Sequence, residues 1–301
     1  MPDIKKFMDK SLSAVRSGAK SFNETVAPKI GKAVNDAAES AGKAIADGSD
    51  KIASAGKNAK DTVMNQLDVN HDGNVDIVDI ITLGLKTPGI KVNREQFLKK
   101  ELTIHYDEET VKKAIAETPV AAKIPAEDID KIADAVIQYE RYFVSGISTA
   151  LGAPGGAAMV ATIPADIIQY YGYMLRAAQK LMYLYGFPQI VSEDDETQID
   201  SATMNLLVVA MGVMFGVAGA NNAVKAMAKA LGNGVEKQLM RRALTKGTIY
   251  PIVKSIAKWF GVRMTKEVFS GFFKKAIPVV GGLIGGGITY VSFKPCCERL
   301  K

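Results

Sequence analysis

Cysteine and histidine are nearly missing from this 301-residue chain, with two of each. The cysteines, Cys296 and Cys297, are adjacent, a spacing too short to cross-link an unstrained chain, so a disulfide-built secreted fold is excluded. With only His71 and His105, no histidine-rich metal centre can be assembled, and zinc-hydrolase signatures are absent. Phosphate-loop and dinucleotide fingerprints are missing too: the GAPGG at 152–156 has neither the spacing nor the lysine of a phosphate loop. Ser-x-x-Lys occurs at Ser54–Lys57 and Ser255–Lys258, both times without the motifs that accompany it in hydrolases. No nucleophile can be matched with a base, so the sequence predicts a non-enzymatic protein. The first residues, MPDIKKFMDKSLSAV, hold no apolar run of the roughly 7–15 residues a secretory signal needs, which predicts a cytoplasmic protein. A mean hydropathy of +0.05 argues against a polytopic membrane protein.

What is present is unevenly placed charge. The net +6 divides into +4 over 1–60, −7 over 61–140, −3 over 141–224 and +12 over 225–301. The chain therefore has a basic arm, an acidic second quarter, a nearly charge-free middle and a strongly basic end. With 48% hydrophobic residues it can build one large core or two ordinary ones.

Along the arm, Ile4, Met8, Leu12, Val15, Phe22, Val26, Ile30, Val34, Ile45, Ile52, Val63 and Leu67 recur with a period of about 3.7 residues, the period of a helical stripe. The stripe is thin. Alanine fills its second half, and Gly18, Gly31, Gly42, Gly48 and Gly56 each weaken a helix by about 1 kcal/mol. Pro28 is expected to kink or split it. Such a Lys-rich stripe suits a segment that turns helical on an anionic lipid surface or a partner; a solvated tail or a helix packed on the main domain suits it as well.

Residues 68–79, DVNHDGNVDIVD, fit the loop of an EF-hand at its demanding places. Asp68, Asn70 and Asp72 stand at positions 1, 3 and 5, Gly73 at 6, Asn74 at 7, Asp76 at 9 and Asp79 at 12. Calcium is a hard cation that takes six to eight oxygens, which alternating Asp and Asn supply inside a tight loop, while glycine permits the sharp turn. Asn74 is expected to offer its backbone carbonyl. Asp at position 12 in place of Glu resembles dockerin loops more than calmodulin. His71 falls at a variable position and is read as a bystander. A second hand survives only as its exit half, KVNREQFLKKEL at 91–102, with Val92 expected opposite Val75 and no ligands at Leu85, Thr87 or Gly89. One calcium site braced by a metal-free second hand is the prediction.

After two acidic helices near 107–116 and 125–142 come three stretches without charge: 142–165, 201–224 and 276–293. The first is broken by APGG, the second is a marginal candidate to span a membrane, and the third is short. Gly281 with Gly285, and Gly282 with Gly286, form overlapping GxxxG pairs, which suit close helix approach in lipid and equally a buried hairpin in a bundle. From Thr162, expected as an N-cap, the stretch to Pro188 reads as a helix with Ile163, Ile167, Tyr170, Met174, Ala178, Leu181 and Tyr185 on one face. Asp166, Arg176 and the tyrosines there read either as a buried site or as a cap and a core helix. In the last quarter Ile252, Val253, Ile256, Ala257, Phe260 and Met264 face one way and Lys254, Lys258 and Arg263 the other, a cationic face that suits lipid headgroups or bulk water. No nucleic-acid motif is visible.

The blocks SGISTALGAPGGAAMVATIPADIIQYYGYMLRAAQKLMYLYGFP at 145–188 and KAIPVVGGLIGGGITYVSFKP at 275–295 resemble the bacterial EcsC family, over roughly 67–301. That resemblance implies an all-helical, cytoplasmic, membrane-associated domain and no known reaction or catalytic residue. The expected organisation is an all-α, multi-helix bundle: an amphipathic arm at 1–66, an EF-hand-like calcium module at 67–104 and an EcsC-like domain at 105–301. The expected function is calcium binding and peripheral association with anionic membranes, with pore formation as a sharper variant and self-association through the glycine-rich helices. The competing reading is a soluble scaffold or carrier of a hydrophobic ligand.

Overall fold

The computed structural model describes Asn65 and residues 67–152, 157–191, 199–232, 242–263 and 281–301. The arm before Asn65, the EDDE at 193–196, Met264 and the start of the third charge-free stretch lie outside them. The described residues form helices and connecting turns, with no strand among them. The helices are α1 (Ile77–Lys86), α2 (Arg94–Leu102), α3 (Glu108–Ala116), α4 (Ala126–Gly152), α5 (Ala157–Leu184), α6 (Ser201–Met214), α7 (Ala220–Gly232), α8 (Tyr250–Arg263) and α9 (Gly281–Leu300). The all-α expectation holds.

Local chemistry sets several of these starts. Asp76, Asn93, Asp107 and Asp200 cap α1, α2, α3 and α6, each side chain accepting from backbone N–H groups of the first turn that have no partner inside the helix. Asp76 and Asp79 do so reciprocally.

α5 is the central helix and packs against α4, α1, α2, α6 and α9. Tyr171, Tyr173, Met174, Leu175, Ala177, Ala178 and Leu181–Leu184 are buried, so its apolar surface extends well beyond the single face expected from the sequence. The helix starts at Ala157, which places Thr162 inside it rather than at its cap. α4 likewise runs ten residues beyond its expected end at Tyr142, to Gly152. α9 lies along α4 and touches α5 and α6.

The second charge-free stretch does not form one long helix. α6 ends at Met214, and Gly216 (φ 71°) and Gly219 (φ 85°) turn the chain into α7. Every residue from Leu206 to Met214 is buried, as in a helix enclosed by its neighbours. No helix among the described residues is long and apolar enough to cross a membrane.

Candidate metal centre

The loop ahead of α1 bends through two left-handed residues, His71 (φ 57°) and Gly73 (φ 83°). A Cβ at Gly73 would touch nothing, so the glycine is required by its backbone angle and not by crowding. His71 is exposed, as expected of a bystander.

This bend lets the loop side chains reach back to its own amides. Asp68 accepts from Asp72 N–H through Oδ1 (3.2 Å) and from Gly73 N–H through Oδ2 (2.8 Å). Asn70 Oδ1 also accepts from Asp72 N–H (2.9 Å), while Asn70 Nδ2 donates to Asp72 Oδ2 (3.3 Å). Asp72 Oδ1 accepts from Asn74 N–H (2.8 Å), and Asn74 Nδ2 donates to the Asp72 carbonyl (3.4 Å). At the far end Asp79 draws the loop shut, accepting from Val69 N–H (3.1 Å) and Asp76 N–H (2.9 Å). Asp76 Oδ1 in turn accepts from Val78 and Asp79 N–H. Positions 1 and 12 are thus joined through the backbone beside Asp68.

Asp68 and Asp79 are buried, Asp76 is half-buried, and Asn70, Asp72 and Asn74 are exposed. Burial pushes the Asp79 carboxyl above the ordinary carboxylate value, and the charges of Asp76 and Asp68 push it the same way against the two amide hydrogen bonds. None of the four aspartates pairs with a lysine or arginine among the described residues. The all-oxygen donor set, gathered in twelve residues without a counter-charge, fits a hard cation. The carboxylates are nonetheless held by backbone amides. Among the described residues, no three His, Cys, Asp or Glu side chains converge as a ready metal cage.

The second-hand expectation is altered at Val92. Its N–H donates to Gln179 Oε1 (3.1 Å), and its carbonyl accepts from Tyr183 Oη (3.2 Å) and Gln189 Nε2 (3.0 Å). Gln179 Nε2 also donates to the Ile90 carbonyl (3.0 Å). The backbone that would pair with Val75 is therefore committed to α5 and the turn after it. The module is braced by the bundle, with α1 crossing α5 where Gly84 meets Gly172: a Cβ on Gly84 would lie 3.3 Å from Gly172 Cα.

A second polar cluster, which the sequence reading did not assemble, lies between α4 and α5. Glu140 is fully buried, and its Oε1 takes Lys180 Nζ at 2.5 Å and Arg176 Nε at 3.2 Å. Phe97 and Tyr139 flank the Lys180 ammonium at 5.6 Å each, and Phe143 and Tyr173 flank Arg176 at 5.4 and 5.6 Å. Glu140 Oε2 has no hydrogen-bond partner among the described residues. Burial would raise the Glu140 carboxyl, but Arg176 and Lys180 outweigh it and hold the group below its ordinary value. For Lys180, burial wins over Glu140 and lowers the ammonium. Arg176 thus does enter a buried cluster, with Glu140 as its partner; the Asp166 side chain lies outside those described.

Cys296 and Cys297 are free and buried, and burial raises both thiols, Cys297 well above its ordinary value. This is the environment of inert thiols rather than of a redox site. No protein-family model, no curated protein and no solved structure matches this chain.

Proposed function

We propose that this chain is a non-enzymatic, calcium-binding helical protein that associates peripherally with anionic membranes from the cytoplasmic side. The observation that carries the reading is the loop at 68–79. Its twelve residues hold four aspartates without a cationic partner among the described residues, two of them buried, on a backbone turned by His71 and Gly73. Asp68, Asn70, Asp72, Asp76 and Asp79 would offer side-chain oxygens to the ion and Asn74 its carbonyl. Neutralising the cluster would release the repulsion felt at Asp79 and fix the angle at which the chain before Leu67 joins α1. The membrane part of the reading rests on the Lys-rich stripe of the arm and the net +12 of the last quarter. The resemblance to the EcsC family points the same way, and the glycine-rich helices would serve self-association or, in the sharper variant, a pore.

The test is calorimetric titration with calcium of the full chain and of the variant with Asp68→Ala and Asp72→Ala. One equivalent bound by the first and none by the second is the expected result; an unchanged titration removes calcium from the reading. A second reading, a scaffold or carrier for a hydrophobic ligand, is favoured by the burial of α5 from Ile167 onward and of α6 from Leu206 onward on nearly all sides, which uses their apolar surface within the bundle. Lipid retained in native mass spectrometry, together with no binding to vesicles, is the outcome that selects it.

A further inference from the structure

α7 and α8 lie side by side on α6. α7 turns Ala220, Ala223 and Met227 inward, and α8 turns Val253, Ile256 and Phe260 inward. Their outer faces, with the turn leading into α8, present Lys225, Lys229, Arg242, Lys246, Lys254 and Lys258, all exposed. Among the described residues from 220 to 263 there is no aspartate or glutamate, and α6 beneath carries no charge. None of the six cations has an ion-pair partner among the described residues. Other lysine-bearing helices carry acidic residues of their own, which pair with part of their cations: Lys112 with Glu108 on α3, Lys131 with Asp128 on α4, and Lys294 with Glu298 on α9.

We infer that this α7–α8 corner is the face that docks on an anionic phospholipid surface. The inference rests on the membrane reading above and adds the place on the fold that performs it. Five of the six cations are lysines, compact and strongly hydrated point charges suited to a diffuse sheet of headgroup charge, whereas arginine is the residue of bidentate phosphate and base recognition. The aromatic rings that a single-stranded nucleic acid would stack on are already engaged. Trp259 packs against Phe215 and Phe260, and Lys254 covers the Tyr250 ring at 4.8 Å. Each lysine near an anionic surface strengthens binding about fivefold, an effect that fades within a Debye length and therefore with salt.

The experiment is flotation of the full chain with vesicles of phosphatidylcholine alone and of phosphatidylcholine mixed with phosphatidylserine. Beside the wild type stand two variants of equal net charge: Lys225→Glu, Lys229→Glu, Lys254→Glu and Lys258→Glu at the corner, and Lys86→Glu, Lys99→Glu, Lys112→Glu and Lys113→Glu elsewhere. All eight lysines are exposed, and thermal melting checks that each variant is folded. The expected result is phosphatidylserine-dependent flotation that falls by roughly 600-fold or more in the corner variant and only severalfold in the other. Equal losses in both variants, or full retention in the corner variant, overturn the inference and leave the membrane reading standing. No flotation of the wild type removes both. Tighter binding of the wild type to a DNA or RNA oligonucleotide than to the vesicles, lost in the corner variant, reassigns the face.

Discussion

Arg94 ties α2 to the end of α3 and to the turn after α5 through four side-chain hydrogen bonds to backbone carbonyls. Nε donates to the Phe187 carbonyl (3.0 Å), Nη1 to Ile115 (2.6 Å), and Nη2 to Ala114 (3.3 Å) and Glu117 (3.0 Å). Ala114, Ile115 and Glu117 lie at the end of α3, where carbonyls have no partner inside the helix, so one guanidinium both caps α3 and ties it to the turn after α5. Replacing Arg94 with Ala is expected to cost about 3 kcal/mol in urea unfolding, because several charge-assisted hydrogen bonds go and half-buried carbonyls lose their donor. Arg94→Lys should recover little, since an ammonium cannot fan out to four carbonyls set by a planar fork. The sequence offered no hint of this: Phe187 is 93 residues away, and the segment 91–102 reads as half of a metal-binding hand. The six loop residues were legible for the opposite reason. Their chemistry is local, with glycine and oxygen-bearing side chains at fixed offsets in twelve consecutive residues.

Helix packing decides the next level. α6 and α8 meet where a Cβ placed on Gly212 would lie 2.7, 2.9 and 3.0 Å from Ile256 Cδ1, Cγ2 and Cγ1. Isoleucine is branched at Cβ and stiff at χ1, so it cannot swing away as a flexible chain end would. Gly212→Ala should therefore destabilise the protein by about 1–3 kcal/mol through overpacking, less the ~1 kcal/mol that alanine returns to an isolated helix. A thermal melt of the variant with Ile256→Val added checks the cause, because trimming the opposing side chain should restore part of the loss. At this scale the sequence announced helices where periodicity or capping was strong, as at α3 and α8, and misjudged ends where no cap or breaker stood. α4 continues past Tyr142 because its next residues, FVSGISTALG, carry no stop signal before Pro154. The 201–224 stretch read as one apolar run because its hydrophobicity gives no period, while its break is set by two glycines in the left-handed region.

Over the whole molecule, the all-helical class and the charge asymmetry could be read from the chain, while the ionic cluster that fastens α4 to α5 could not. Glu140, Arg176 and Lys180 stand 36 and 40 residues apart in sequence, in helices whose pairing only the fold reveals. Burying three charges is costly, and the direction of the shift at Lys180 says that desolvation exceeds what Glu140 returns to it. The cluster is therefore better understood as fixing the register of α4 on α5 than as a large source of stability. Removing one member still leaves the others uncompensated, so Glu140→Gln should cost about 3–5 kcal/mol near neutral pH. Acid makes the same change by protonation. Because the folded carboxyl sits below its ordinary value, its contribution is complete above that ordinary value and is lost as pH falls through the depressed one. Asp107, Glu108 and Asp128 are lowered as well, so wild type and variant share an acid limb from these groups. The informative quantity is the difference between the two proteins in urea unfolding followed from neutral pH downward. That difference should be largest near neutrality and shrink in acid, as protonated Glu140 comes to resemble glutamine. A difference that stays constant into strong acid would mean that the charge of Glu140 fastens nothing.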